Sequence, residues 1–351
     1  MKLDLRTVRL RLAEPLRISR SVMVAREAVV LALRHDGISG FGEVVSSVYL
    51  GLPTKLIIRQ IRSMERALER MDDHEAALDR FRRSPAPFGD PAPAVRAGVE
   101  SALLDLVGKR AGTPVHRLLG AVAAPTAATA RTIGITDPVR AAAQAARLVE
   151  NGFTVLKVKA GSPDPAEDLA RVRAVRSAAP GVRILLDPNG AWSVRQALEL
   201  IPGFAELGVE AVEQPTAPGG PDRLAEVAAR SGLPVIADED AVSYEDAVRL
   251  AGRVQGVNVK LAKCGGVAQA LRICAALQGS GTDVMLGCLT ARSLGIAPAV
   301  QLADRARWID LDGHLLLAHD PWEGIGGEDG TVRAADRPGL GVRPVPAAGG
   351  G

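Results

Sequence analysis

ILLDPNGAW, residues 184–192, opens as a short apolar strand pattern, ends that strand on Asp187 and passes through Pro188-Asn189 into a helical pattern of ten or more residues. VEAVEQP at 209–215 and PVIAD at 234–238 repeat the design, ending on Glu213 and Asp238. An acid that recurs once per β-α unit stands at the same end of neighbouring parallel strands. Three carboxylates converging there repel one another and cost desolvation unless a cation sits among them. Asp187, Glu213 and Asp238 therefore read as a divalent-metal site. One such acid alone would more often be a helix cap; three in succession favour the metal.

Outward from these runs the same alternation continues. Strand-like stretches occur at 132–135, 154–159, 182–187, 209–213, 234–238, 256–260, 283–286 and 308–310, with helical patterns such as 138–151, 165–178, 193–207 and 267–278 between them. Eight strands with short connections are what a closed parallel barrel needs, with its chemistry at the carboxyl ends of the strands. The rival is an open doubly wound sheet, but no GxGxxG follows a first strand.

Ahead of the barrel the pattern differs. Residues 3–12 read as an edge strand, and 29–35 with 40–45 as a hairpin around Asp36-Gly37. The stretch 15–27, with Arg17, Arg20 and Arg26, reads as a loop. Helical periodicity covers 54–71 and 93–110, where Val95, Val99, Leu103, Leu104 and Leu106 can share a face. Strands followed by helices predict an α+β domain over 1–125, joined through the Ala-rich 121–130 to a barrel over 126–321. The Gly- and Pro-rich 322–351 predicts a return segment to the first domain, ending in a frayed tail.

Composition narrows the function. A chain of 351 residues that is 47% hydrophobic can bury a large core, and with 3% aromatics that core must be built mainly of Ala, Val, Leu and Ile. The net charge of +3 is spread out, with no basic block interleaved with aromatics, which argues against nucleic acid as a partner. No run approaches a membrane span, the amino terminus lacks a signal-peptide core, and Cys264, Cys274 and Cys288 form no CxxC pair. Free thiols in a reducing cytoplasm are the expectation.

Lys157 and Lys159 lie two apart on one strand, so both point into the barrel or both out of it. If they point inward, each disfavours charge on the other, and one is expected to become neutral enough to act as a base near pH 7. Lys260 ends the sixth strand and faces the same cavity from the far side, which would place two bases about a metal. Lys263, past the strand end, reads as a surface charge or a group supporting the site.

The runs KVK at 157–159, DPNGAW at 187–192, VEQP at 212–215, ADED at 237–240, NVKLAKCGG at 258–266 and GCLTARSLG at 287–295 together resemble the enolase superfamily, in the right order and over nearly the whole chain. Their spacing is similar to the muconate-lactonizing-enzyme subgroup. The resemblance implies a (β/α)7β-type TIM barrel with an amino-terminal α+β capping domain. It also implies Mg²⁺ on Asp187, Glu213 and Asp238, Lys159 and Lys260 as acid/base residues, Lys157 as a supporting charge, and Asn189 and Gln214 as polar groups nearby. An oxygen-only ligand set without His or Cys suits Mg²⁺ and disfavours zinc. The implied chemistry removes the proton beside a carboxylate, and the enediolate so formed is stabilised by Mg²⁺ and an ammonium. None of the five histidines lies between the first and eighth barrel strands, which disfavours the branches that use a histidine base from that region.

Asp310 and Asp312, also two apart, resemble the acid pair with which dipeptide epimerases hold the amino terminus of their substrate; a surface acidic turn is the bland alternative. The expectation is a Mg²⁺-dependent dipeptide epimerase acting on a small molecule and assembling as a homo-oligomer. The alternatives are an o-succinylbenzoate synthase or muconate cycloisomerase-type lyase, or an N-acylamino acid racemase. Three departures touch the substrate pocket. Ala291-Arg292 stand where relatives usually carry a glutamate, Asp240 where serine is usual, and Ser21 where enzymes for acidic dipeptides place an arginine, so an Ala-Glu preference is not implied. Arg20 and Arg26 are either partners for an acidic side chain or solvated loop charges.

Overall fold

Charged and apolar residues alternate through the first 45 positions, the period of strands with one face buried. In the computed structural model, which describes residues 1–71, 73–83 and 88–345, they form an antiparallel sheet in the order β1 (Lys2–Ile18), β2 (Ser21–His35), β3 (Ile38–Val45). Asp36 (φ 46°) and Gly37 (φ 79°) both take the left-handed conformation that a tight hairpin turn requires. Residues 15–27 are not the loop expected. The β1–β2 ladder resumes at Leu16↔Met23 and runs to Ile18↔Ser21, after an irregularity between Arg11 and Leu16. Pro15 falls inside that irregularity, where a missing N–H costs no ladder bond. The turn at Ser19-Arg20 carries no Gly or Asn to announce it.

Three helices back this sheet: α1 (Thr54–Glu69), α2 (His74–Arg83) and α3 (Pro93–Arg110). α1 buries Ile57, Ile61, Met64 and Leu68, a helical stripe. α3 is buried from Ala94 to Gly108 except at Arg96, because it has β3 on one side and barrel residues on the other. A side chain at Gly42 would run into the carbonyl of Gly98 on α3, so the sheet lies directly on this helix. Then follow α4 (Val115–Leu118) and the short β4 (Thr126–Ala128).

The second layer is a ring of eight parallel strands: β5 (Arg131–Ile133), β6 (Val155–Lys159), β7 (Arg183–Asp187), β8 (Val209–Glu213), β9 (Val235–Ala237), β10 (Gly256–Lys260), β11 (Asp283–Gly287) and β12 (Trp308–Asp310), each paired with the next. The Ala130 amide donates to the Ile309 carbonyl (2.8 Å) and draws first and eighth strands together. The crossovers carry α5 (Pro138–Glu150), α6 (Pro165–Ala178), α7 (Val194–Glu206), α8 (Pro221–Arg230), α9 (Tyr244–Leu250), α10 (Leu261–Cys264) with α11 (Val267–Leu277), and α12 (Ser293–Val300). This is the (β/α)7β arrangement. Asp137, Asp164, Ser193 and Ser243 cap four of these helices, each contributing about 1 kcal/mol.

After β12 the chain returns through β13 (Trp322–Glu323), β14 (Thr331–Arg333) and β15 (Arg343–Pro344); β14 pairs with β4 and β13 with β15. Residues 346–351, and with them the tail expected to fray, lie outside the described residues. Among the described residues no helix is long and apolar enough to cross a membrane.

Inside the ring, Ala130, Val155, Leu185, Ala211, Ile236, Met285 and Trp308 form one apolar layer. Two residues further along most of these strands, on the same inward face, come Thr132, Lys157, Asp187, Glu213, Asp238 and Asp310. The barrel thus has a hydrophobic floor and a charged mouth.

Candidate active site

The strand period settles which way the lysines face. Leu156 and Val158 pack in the outer core, while Lys157, 1% exposed, lies inside the mouth. Its Nζ is 2.7 Å from Asp310 Oδ2, 2.6 Å from Glu213 Oε2 without hydrogen-bond geometry, and 3.1 Å from Asp187 Oδ2. Lys159 Nζ meets Asp187 Oδ2 at 2.5 Å, and Lys260 Nζ meets Asp238 Oδ2 at 2.6 Å. Lys263 is no surface charge: it is buried, with Nζ 2.5 Å from Asp238 Oδ1 and 2.6 Å from the Asp238 carbonyl.

For Lys157 these ion pairs overturn the expectation that its neighbouring lysine lowers it. Burial pulls the Lys157 ammonium down, but Asp310, Glu213 and Asp187 outweigh it and hold the group well above the ordinary lysine range. Lys260 is likewise raised, burial being outweighed by Asp238 and Glu213. Burial pushes Asp187 up, but Lys159 and Lys157 bring it down to about 2. Asp238 is held well below the carboxylate range, Lys260 and Lys263 outweighing its burial. Glu213, pushed up by burial and then by the charge on Asp187, rises to about 7.

The donor set suits a hard cation: three buried carboxylates on consecutive strands, each feeling the charge of another of the three. Among the described residues, however, no three acidic, His or Cys side chains are gathered as a formed metal centre. The carboxylates are turned to ammonium groups instead. Asn258, which sequence reasoning passed over, donates from Nδ2 to Glu213 Oε1 (2.8 Å) and keeps a buried Oδ1 without a partner. Its position two before Lys260 was the available signal.

The neighbouring polar groups divide by role. Asn189 (φ 49°) donates its amide to Asp187 Oδ1 (2.9 Å) and leaves its own Oδ1 buried and unpartnered. Gln214 (φ 37°) accepts from the Asp238 and Asp240 amides and donates to Asp240 Oδ2 (2.8 Å), so it braces the end of β9. Asp240 also accepts from the amides of Gly219 and Gly220, which explains an acid there: it ties down a loop. Ala291 is buried beside Glu43 of β3, whose Oε1 accepts from the Arg292 amide at 2.9 Å. Burial raises the Glu43 carboxyl to about 7.

Asp310 and Asp312 do share the mouth, but unequally. Asp310 leaves Oδ1 buried and unpartnered, whereas Asp312 Oδ2 accepts from the Thr132 amide (2.7 Å) and from Arg131 Nη1 (3.2 Å). Both line a cavity of about 910 Å³ together with Lys157, Lys159, Asp238 and Lys260. The β1–β2 tip roofs it with Leu16, Ile18, Met23, Val24 and Arg26. Arg20 latches that tip to the barrel through Glu239 Oε1 (2.7 Å) and the Asn189 carbonyl (2.9 Å), under the ring of Tyr49. Glu239 was another residue sequence reasoning missed.

Residues 2–120 match the mandelate racemase / muconate lactonizing enzyme, N-terminal domain family, and residues 140–348 match the enolase C-terminal domain-like family. The chain is 34% identical to a hydrophobic dipeptide epimerase of Roseobacter litoralis, covering 97% of this chain and 98% of that one. It is 32% identical to an L-Ala-D/L-Glu epimerase of Bacteroides thetaiotaomicron, over 90% and 81% of the two chains. Among solved structures, the dipeptide epimerase of Methylococcus capsulatus complexed with Mg and L-Arg-D-Lys is similar with a TM-score of 0.85 and 32% identity, over 97% and 99% of the two chains. Two-domain architecture, the order of charged groups around the barrel mouth and matches over nearly the full length agree: the chain belongs to the mandelate racemase / muconate lactonizing enzyme family of the enolase superfamily.

Proposed function

We propose that this protein is an isomerase, a Mg²⁺-dependent dipeptide epimerase that inverts the α-carbon of the carboxy-terminal residue. One observation carries the reading, the order of groups around the mouth. Lys159 and Lys260 stand on the second and sixth of eight strands, on opposite walls; Asp187, Glu213 and Asp238 fill the arc between them; Asp310 and Asp312 lie across the ring on and just past the eighth. A substrate carboxylate directed to the acidic arc, with its ammonium at Asp310, sets the α-carbon between two amines.

Asp187, Glu213 and Asp238 would hold Mg²⁺, and similar structures complexed with Mg support that assignment. When bound, the ion would supply positive charge that favours loss of the proton beside the substrate carboxylate. With Asp187 and Asp238 engaged by Mg²⁺, Lys159 and Lys260 would lose the carboxylate partners they have here, and a nearby cation disfavours the ammonium form, so that one would take the proton from one face while the other returns one to the opposite face. Lys157 adds a fixed positive charge beneath the enediolate. The cap hairpin excludes water, latched by Arg20. A dipeptide as substrate is supported by what the relatives are called.

Proton exchange tests this directly. With Mg²⁺ in D₂O, a panel of L,L-dipeptides is expected to lose its carboxy-terminal α-proton signal, and EDTA is expected to stop the loss until Mg²⁺ is restored. A panel with no exchange in any member sinks the reading. The engagement of Asp312 by Arg131 favours one second reading, an N-acylamino acid racemase, whose substrate brings no ammonium. Exchange confined to N-acyl amino acids would select it.

A further inference from the structure

The relatives act on apolar, acidic or basic dipeptides by name, so the choice of side chain has to come from this chain's own cavity. Each acid lining it is already held by a donor: Glu27 by Thr54, Glu239 by Arg20, Asp238 by Lys260 and Lys263, Asp310 by Lys157, Asp312 by Arg131. Arg26 on β2 lines the same cavity, and its Nη1 is buried with no hydrogen-bond partner. Arg9, the other arginine there beside the latched Arg20, is exposed and lies across the ladder from Glu27. A half-buried guanidinium without an anion loses hydration and regains nothing.

The position of Arg26 identifies the end of the substrate that it meets. Arg26 pairs with Leu10 on β1; just beyond, Leu12 bridges Leu317 and the Ala318 amide donates to the Arg11 carbonyl (2.9 Å), so β1 lies along the segment that follows Asp312, and Cys288 lines the same cavity as Arg26. Cys288 Sγ would be 3.0 Å from a Cβ placed on Gly313, next in the chain to Asp312. The thiol is pushed up by burial, so it is neutral at pH 7 and cannot balance the arginine. Arg26 therefore lies toward the acid pair, on the side of the cavity where the amino-terminal half of a dipeptide sits.

We propose that Arg26 selects substrates bearing a carboxylate on the amino-terminal side of the reacting amide, first of all dipeptides that begin with Asp or Glu. The substrate ammonium then meets the free Oδ1 of Asp310, and the adjacent side-chain carboxylate meets Arg26 in a charge-assisted, two-pronged pair. A dicarboxylic N-acyl group such as succinyl offers the same carboxylate from a second source. The inference rests on the epimerase reading for the orientation of the substrate, not for the recognition itself.

The test measures binding and exchange separately. Calorimetry on the Mg²⁺-loaded protein compares Asp-Leu with its near-isostere Asn-Leu, and N-succinyl-leucine with N-butyryl-leucine. The wild type is expected to bind the acidic member of at least one pair about tenfold or more tightly, the cost of leaving a buried charge unpaired. Arg26→Met should bring the ratio to within about twofold and Arg26→Lys should restore part of it. A larger ratio in the first pair assigns the carboxylate to an amino-terminal residue, in the second to an acyl group. Equal binding within both pairs by the wild type, or a preference that survives Arg26→Met, overturns the proposal. If the ratio holds but nothing exchanges in D₂O, the epimerase reading fails and the recognition stands; exchange of neutral dipeptides with no acidic preference gives the converse.

Discussion

Lys159 and Lys260 carry the sharpest residue-scale prediction. On the proposed mechanism each serves one face of the α-carbon, so Lys159→Ala and Lys260→Ala should each lose epimerisation by about 10³-fold or more. Each variant should still wash deuterium into the stereoisomer whose proton faces the surviving lysine. Proton NMR in D₂O on the L,L- and L,D-dipeptides checks this, and full turnover in both variants would remove the two-base assignment. That Lys157 and Lys159 share a face was legible, because residues two apart on a strand point the same way, whereas the acid/base roles came from the family resemblance. Their ionisation was not, since it depends on which carboxylates the other strands bring within reach. Lys157, beside Lys159 in sequence, is raised by Asp310 from 153 positions away.

At the scale of elements, the β1–β2 hairpin is the part whose shape was misread. Its extension beyond Arg11 makes it a lid, and Arg20 is what fastens the tip to Glu239 and Asn189. The arginine side chain is 43% exposed, so solvent screens the pair and its loss should cost global stability little. Arg20→Ala is expected to raise KM several-fold and speed amide exchange across residues 16–23, while Tm moves by no more than about 2 °C. Hydrogen-exchange mass spectrometry beside steady-state kinetics reads both; an unchanged tip would show that packing of Leu16 and Met23 closes the lid without the latch. The stretch looked like loop chemistry because its tip roofs a cavity and not a packed apolar core, so the alternation that marks a half-buried strand is weak there.

Across the whole molecule, cap and barrel meet at a buried acid. Glu43 reaches from the cap sheet to the Arg292 amide after the seventh barrel strand, and its folded pKa of about 7 lies above the ordinary 4.5. The unfolded chain therefore releases a proton between these values that the folded protein keeps. On that account stability falls as pH rises from about 4.5 to 7, by on the order of 3 kcal/mol. Glu43→Gln should remove this component, so that the variant gains on the wild type between pH 5 and pH 8 in urea unfolding. A constant difference between the two would mean that Glu43 is ionised in the folded state.

The alternation of β and α units and an acid at the end of each of three successive strands follow from local pattern, because a period of two or 3.6 residues records which side of an element is buried. Asp187, Glu213, Asp238 and Lys260 were therefore legible as strand-end groups from their own neighbourhoods. Asn258 obeyed the same rule and was overlooked, while Glu239 and Lys263 drew their roles from partners that arrive by folding. Folding decided which charges cancel: Arg131 on Asp312, Arg20 on Glu239, Lys263 on Asp238, and, among the described residues, no partner for Arg26 Nη1. Electrostatic pairing depends on distance through space, and a linear chain records distance only along itself.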